Sequence, residues 1–253
     1  MPSSIDDIEA FLAAITLHAD ADVRVIDKPC GLAVQKGTRT SDHLDGMLMA
    51  RAEAGAERLR LVHRLDRETS GCLILAASRE AARLLGREMM ARRVIKTYWA
   101  LVHGVPEPST GRIDLPLIKA PGLDGDRVRP ASGDELAGAW PAVTRYQVLE
   151  ARLGACAVVS LSPETGRQHQ LRAHMAAIGH PIVGDTKYPY SADAGATAQP
   201  CPLHLLARGL TFRHPRGHML SVEASLPPHM QASFRRLGFG SPLAIHANPL
   251  RKT

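Results

Sequence analysis

The polar segment 63–71 is the first place in the chain where side-chain types and spacing indicate chemistry. It reads His-Arg-Leu-Asp-Arg-Glu-Thr-Ser-Gly and is followed at once by an apolar run at 72–77. Nearby guanidinium groups, such as those of Arg64 and Arg67, hold a carboxylate like Asp66 in its ionised form. Asp66 is therefore a candidate catalytic group, although a loop ion pair that only sets local geometry would give the same pattern.

A second polar cluster lies in the segment 165–174, at the predicted start of a helix. Its side chains are Arg167, Gln168, His169, Gln170, Arg172 and His174. A helix N-terminus with arginines suits a phosphate or a carboxylate from elsewhere in the chain. His169 and His174 are five residues apart and have no glutamate or cysteine cluster beside them, so we expect no metal site.

Other kinds of site find little support. Ser70 stands in Glu-Thr-Ser-Gly-Cys, which is not the GxSxG elbow of a hydrolase. The sequence has no GxGxxG or Walker loop, which favours a reaction without a cofactor. The four cysteines lie far apart and are expected to be packed residues.

The net charge of the chain and one of its tyrosines, Tyr98, suggest the kind of substrate. The chain carries a formal charge of +6, and only six of its 31 basic residues are lysine. Arginine suits phosphate contacts and base stacking, although a GC-rich genome would also enrich it. Taken by itself, Tyr98 is expected to be a core residue of a strand. Together with an ionised Asp66 and the basic cluster, it supplies the parts needed to handle a flipped-out nucleotide.

The elements that must position these residues follow from apolar spacing and capping. Helices are predicted at 43–58, 78–92, 168–178 and 228–237. Strands are predicted at 23–27, 72–77, 97–102, 111–117, 142–150, 155–161, 205–212 and 219–224, and a loop at 121–138. Because strands and helices do not alternate regularly, we expect an α+β fold with a mixed, mostly antiparallel sheet.

Length and composition limit the organisation of the chain. With 253 residues and 45% apolar content, a single catalytic domain at 22–240 is the simplest prediction, with a tail or short helix at 1–21 and a tail at 241–253. No apolar run approaches the roughly 20 residues of a membrane helix. No secretory signal is evident, so we expect a cytoplasmic protein.

The chain resembles the RluA-type pseudouridine synthases. Their HRLDxxTSG motif is matched at 63–71, their Lys-x-Tyr element at Lys96–Tyr98, and their TGRxHQxRxHxxxxGHPIxGDxxY element at 165–188. Asp27-Lys-Pro-Cys-Gly31 resembles their KPxG turn. These motifs occur in the family's order and cover nearly the whole chain.

The resemblance implies a central catalytic cleft and isomerisation of specific uridines to pseudouridine in structured RNA, 23S rRNA and/or tRNA. Asp66 is the implied essential carboxylate, acting on the sugar, on the base or on a ribose proton. Arg172 is expected to pair with Asp66, and Tyr98 to stack on the base. The resemblance also implies that five residues bind the substrate. Arg64 is expected to fill the space that the flipped nucleotide vacates, and backbone or sugar contacts are expected for Arg167, His169 and Gln170. His63 is expected to bind substrate as well.

Some expectations depart from the family or stay open. Many relatives carry an accessory RNA-binding domain before the catalytic one, and too few residues precede Val23 to form it. We expect a monomer that uses no metal. The alternatives are an RNA-binding or rRNA-folding factor of the same fold that has no catalytic role, and a metal-free hydrolase using Asp66 with His63 or His169.

Overall fold

The computed structural model describes residues 4–37, 42–120, 127–152, 156–190 and 201–240. The chain forms two compact units: unit 1 is Met1–Lys96 with Ala207–Ser225, and unit 2 is Thr97–Leu206 with Leu226–Thr253. Each unit combines helices with antiparallel strands, so the predicted α+β class is confirmed. The predicted domain boundaries stay a prediction, and the tail 241–253 lies outside the described residues.

Unit 1 surrounds the segment that carries Asp66. Its helices are α1 (Ile5–Ala14), α2 (Leu44–Glu53) and α3 (Arg79–Met90). Its strands are β1 (Thr16–Ala19), β2 (Val23–Lys28), β3 (Arg60–Leu61), β4 (Ser70–Ala76), most of β11 (Leu205–Arg213) and β12 (Met219–Glu223). β4 pairs antiparallel with β2 and β3, and β11 pairs antiparallel with β12.

The strand β4 gives the Asp66 segment its rigid neighbour. Every residue of β4 is buried, as expected for a continuous apolar run. Gly71 has a φ of +107°, and a Cβ there would collide with the backbone carbonyl of Ala207. Only glycine fits so close a backbone approach, so the last residue of the polar motif is required by the packing of the strand.

Unit 2 carries the second cluster. Its strands are β5 (Ile95–His103, whose first two residues belong to unit 1), β6 (Thr110–Asp114), β7 (Leu117–Ala120), β8 (Arg127–Pro130), β9 (Val143–Arg152) and β10 (Cys156–Pro163). Its helices are α4 (Gln170–Ala177) and α5 (Pro228–Arg236). β5, β10, β9 and β6 are neighbours in that order and antiparallel. The core beneath them includes Val159, Leu161 and Met175.

Two expectations about local structure are wrong in part. The predicted loop 121–138 contains β8, which pairs with β7, and a 3₁₀ turn at Gly133–Gly138; residues 121–126 lie outside the described ones. The predicted tail or short helix at 1–21 contains α1 but continues into β1, which pairs with β2. Such short strands are stabilised by their partners and have little signal of their own. Within the described ranges, no helix is long and apolar enough to cross a membrane.

Candidate active site

Asp66 opens a tight turn directly before β4. Its backbone carbonyl accepts a hydrogen bond of 3.1 Å from the Thr69 N–H. Asp66 is half-buried, whereas Leu65 and Thr69 on its two sides are buried. The flanking residues therefore anchor the turn, while Asp66 itself stays half-buried.

A buried lysine holds this turn from the other side. Lys28 is fully buried, and its Nζ donates to the carbonyl oxygens of Pro29 and Leu32, both at 2.9 Å, and of Arg67 at 3.1 Å. The Gly31 N–H donates to the same Arg67 carbonyl at 2.9 Å. Backbone bonds thus tie the 28–32 turn to the residue that follows Asp66.

The Lys28 ammonium also shapes the local charge. Burial lowers its pKa to about 8, while the Cys30 thiol and the carboxylates of Asp66 and Glu68 oppose that shift. A cation close enough to interact with Asp66 favours the ionised carboxylate. Lys28 belongs to the Lys-Pro turn at 27–31, but its residue type alone did not indicate a role.

His63 and Arg64 occupy different environments on the same segment. The Nε2 of His63 accepts a hydrogen bond of 3.0 Å from the Ile74 N–H. Burial, helped by the positive charge of Lys96, lowers the pKa of His63 to about 3. A neutral imidazole that already accepts a backbone bond is poorly suited to act as a hydrolytic base. Arg64 is exposed, and the substrate contacts of both residues stay a prediction.

In unit 2, Arg172 forms a buried ion pair. Its Nε and Nη2 donate to the two carboxylate oxygens of Asp185, each at 2.7 Å, and the two side chains are 1% and 0% exposed. Asp185 Oδ1 also accepts the N–H groups of Lys187 and Tyr188. This geometry orients the guanidinium strongly. Asp185 is the aspartate of the GDxxY element, and its role was not predicted from the sequence.

Tyr188 lies beside this pair. Its hydroxyl accepts a hydrogen bond of 2.9 Å from the Val128 N–H and lies 3.4 Å from Nδ1 of His169. The Arg172 guanidinium carbon is 5.6 Å from the centre of its ring. His169 is buried and takes a left-handed backbone conformation, with φ of 49°, directly before α4.

Gln170 organises the start of α4 from within. Its Oε1 accepts from the Thr165 hydroxyl at 2.7 Å and from the Arg167 N–H at 3.0 Å, and its Nε2 donates to the Val143 carbonyl at 2.9 Å and the Thr144 hydroxyl at 3.0 Å. Both ends of the buried amide therefore bond to the protein itself. The predicted contact of Gln170 with substrate stays a prediction.

Arg167 and His174 complete this cluster. Arg167 is half-buried, and its Nε donates to the Pro141 carbonyl at 3.1 Å. The imidazole nitrogens of the buried His174 lie 2.9 Å from the Thr144 hydroxyl and 3.0 Å from the Leu115 carbonyl. Both nitrogens of His174 have protein partners, so this side chain supports the helix.

Tyr98 lies on β5, opposite Leu161 of β10. It is half-buried and packs against the unit 2 core, which includes Leu171. The predicted residues of unit 2 thus come from one strand and one helix start, whereas those of unit 1 lie on one segment. The predicted pairing of Asp66 with Arg172 joins residues of different units and stays a prediction.

Comparisons with known proteins agree on one family. A family model described as RNA pseudouridylate synthase matches residues 22–177. The dual-specificity RNA pseudouridine synthase RluA of Escherichia coli K12 is 40% identical over 212 residues, covering 83% of this chain and 92% of the relative. The mitochondrial pseudouridylate synthase RPUSD4 of Bos taurus is 34% identical over 91% of this chain and 71% of its own length.

A solved structure supports the same conclusion. The human RNA pseudouridylate synthase domain containing 4 matches with a TM-score of 0.78 and 31% identity. The match covers 94% of this chain and all of the human chain. Sequence and fold therefore agree over nearly the full length of both proteins.

Proposed function

Because this chain belongs to the RNA pseudouridylate synthase family, whose members isomerise uridine in RNA, we propose that Asp66 is the carboxylate that carries out this reaction. The chain is an RNA pseudouridine synthase. The resemblance of segment 63–71 to the family motif points to Asp66. The observation that carries the proposal is the Asp66 turn, which a fully buried lysine fixes through the backbone while Asp66 itself is only half-buried.

The reaction defines what the site must do. The bond between ribose C1′ and uracil N1 breaks, the base turns, and a new bond joins C1′ to C5. The proton on C5 is lost and N1 gains one, so the product has the mass of the substrate. Asp66 attacks the sugar, attacks the base or removes a ribose proton, and each of these steps requires an ionised carboxylate. The nearby Lys28 ammonium favours that state.

Arg172 and Tyr98 act beside Asp66 in this proposal. Arg172 pairs with the carboxylate and keeps it oriented, which is supported by the rigid hold of Asp185 on the guanidinium. Pre-orientation of this kind removes reorganisation at the moment of reaction. Tyr98 stacks on the target base, which its half-buried ring can do from the edge of the core.

The surrounding residues divide into RNA contacts and supports. Arg64 is exposed, and we assign it to the space vacated by the flipped nucleotide. Arg167 is half-buried, and we assign it to the RNA backbone or sugar. His169 joins Arg167 at the start of α4. His63 and Gln170 make hydrogen bonds within the protein, which supports positioning roles for them.

The substrate is proposed to be structured RNA, 23S rRNA and/or tRNA. The Escherichia coli relative is a dual-specificity RNA pseudouridine synthase, which supports action on more than one kind of RNA. The proposal also includes action in the cytoplasm as a monomer, without metal or cofactor. None of the protonation or positioning steps assigned above requires a cofactor.

The test compares pseudouridine across rRNA and tRNA in three strains. A deletion strain carries the wild-type gene, the Asp66→Asn variant or no gene, and pseudouridine is mapped by chemical labelling and reverse transcription. Asp66→Asn keeps the shape of the side chain and removes the carboxylate. Specific sites that vanish in the deletion should return with wild type and stay absent with Asp66→Asn.

The same strains separate the alternatives. Sites restored by Asp66→Asn would contradict the role of Asp66. Released uracil or cut RNA with purified enzyme would favour a hydrolase. An unchanged pseudouridine map with a defect in ribosome assembly would favour an RNA-binding factor, a reading that the family match does not favour.

A further inference from the structure

Tyr188 connects three parts of unit 2 that are far apart in sequence. Its hydroxyl accepts the Val128 N–H of β8 at 2.9 Å, its ring lies 5.6 Å from the Arg172 guanidinium carbon, and its own N–H donates to Asp185 at 3.0 Å. One side chain and its backbone therefore touch a hairpin strand and both members of the buried ion pair.

The hairpin formed by β7 and β8 depends on this neighbourhood for its position. Leu117 and Val128 from the hairpin pack with Ala142 and with Ala173 of α4, and Tyr188 lies against this cluster. α4 also carries Arg172. The hairpin and the guanidinium are thus held by the same side chain over the same small core.

The two ends of the Tyr188 side chain hold different groups. The hydroxyl holds the hairpin, because removing it leaves the Val128 N–H without this acceptor. The ring face lies within the range at which a guanidinium is attracted to an aromatic ring. A shift of the hairpin would therefore also move the Tyr188 ring, which lies beside Arg172.

We propose that Tyr188 is a positioning residue that couples the β7–β8 hairpin to the guanidinium of Arg172. The inference rests on the proposed role of Arg172. It goes further because Tyr188 is assigned no contact with RNA and acts only through its neighbours. The position of the Arg172 guanidinium is then set by the hairpin as well as by Asp185.

Two substitutions separate the two ends of the side chain. Tyr188→Phe keeps the ring and removes the hydroxyl, whereas Tyr188→Leu removes both. Tyr190→Phe is the matched control, because Tyr190 follows in the same segment and stacks on His103 instead. Purified variants are compared by single-turnover rate of pseudouridine formation, RNA dissociation constant, melting temperature and hydrogen exchange at Val128.

Tyr188→Phe should lower the single-turnover rate about five- to tenfold, the size of one lost hydrogen bond. Its RNA dissociation constant should stay within about twofold of wild type, because Tyr188 is assigned no contact with RNA and its loss acts on the reaction step rather than on binding. Exchange at Val128 should become faster. Tyr188→Leu should lower the rate several-fold more, on the order of the ring contact it loses. Tyr190→Phe should match wild type.

Other outcomes overturn the inference. A wild-type rate in Tyr188→Phe despite faster exchange at Val128 shows that the hairpin is linked but not coupled. Weaker RNA binding at an unchanged rate makes Tyr188 an RNA contact. An Arg172→Lys variant with full activity contradicts the role of Arg172 itself, so failure of the proposed function is recognised separately. If Tyr188→Leu does not fold, Tyr188→Phe decides alone.

Discussion

Lys28 in unit 1 and Arg172 in unit 2 are both fully buried cations, but their hydrogen-bond acceptors differ in kind. Lys28 donates to three backbone carbonyl oxygens, so it orders a stretch of main chain. Arg172 forms a bidentate pair with the buried carboxylate of Asp185. Lys28 orders the turn that carries Asp66, whereas the guanidinium of Arg172 is itself held in place by Asp185. Substitutions that disrupt the two cations should therefore have different effects on stability and activity.

Asp185→Asn should give the largest loss of stability, because it removes the carboxylate that holds the buried guanidinium of Arg172 in a bidentate pair. Breaking a buried pair on one side costs about 3–5 kcal/mol. The measurement is the free energy of unfolding from urea titration. Activity should also fall, since the guanidinium loses its orientation.

The matched control for this prediction is Asp114→Asn. Asp114 pairs with Arg112 at 2.7 Å in the same unit, but the side chains are 53% and 45% exposed. Solvent screening makes such pairs weak, so the variant should unfold close to wild type. Equal losses in both variants would show that burial of the Arg172 pair has no special importance.

Lys28→Met should separate activity from stability. The substitution removes the three charge-assisted bonds but also removes the cost of burying an ammonium, so the net loss of stability should be about 1–2 kcal/mol. The turn carrying Asp66 loses its anchor, and misplacement of about 1 Å costs roughly 10²-fold in rate. Single-turnover rate and urea titration on one preparation measure both. A stability loss as large as that of Asp185→Asn would erase the contrast between the two cations.

The free energy of unfolding should also depend on pH, with a contribution from each unit. Burial lowers the pKa of His63 in unit 1 to about 3 and that of His204 in unit 2 to about 4, from 6.5. Between pH 7 and 5 the unfolded chain binds protons that the folded chain does not, so stability falls as the pH falls. Each histidine should contribute about 1–2 kcal/mol.

Urea titration at pH 7 and pH 5 checks this. His63→Asn should reduce the pH dependence by the share of one histidine. A free energy of unfolding that rises towards pH 5 would contradict this prediction.

Local elements were predictable because their signals are local. Ser78 caps α3 through the Ala81 N–H, and the apolar run after Gly71 forms the fully buried β4. The segments that carry Asp66 and Arg172 were likewise found from residue type and spacing. The strands β1, β7 and β8 were missed, because their pairing is decided by partners rather than by their own composition.

The sequence by itself determined the family, the α+β class and the residues proposed for chemistry, because motif order and periodicity are properties of the chain. Tertiary structure alone decided that Lys28 binds Arg67 across 39 positions, that Asp185 holds Arg172, and that the amide of Gln170 is used inside the protein. The physical reason is that burial and hydrogen-bond partners depend on contacts between segments distant in sequence. A residue's type limits those contacts but does not choose among them.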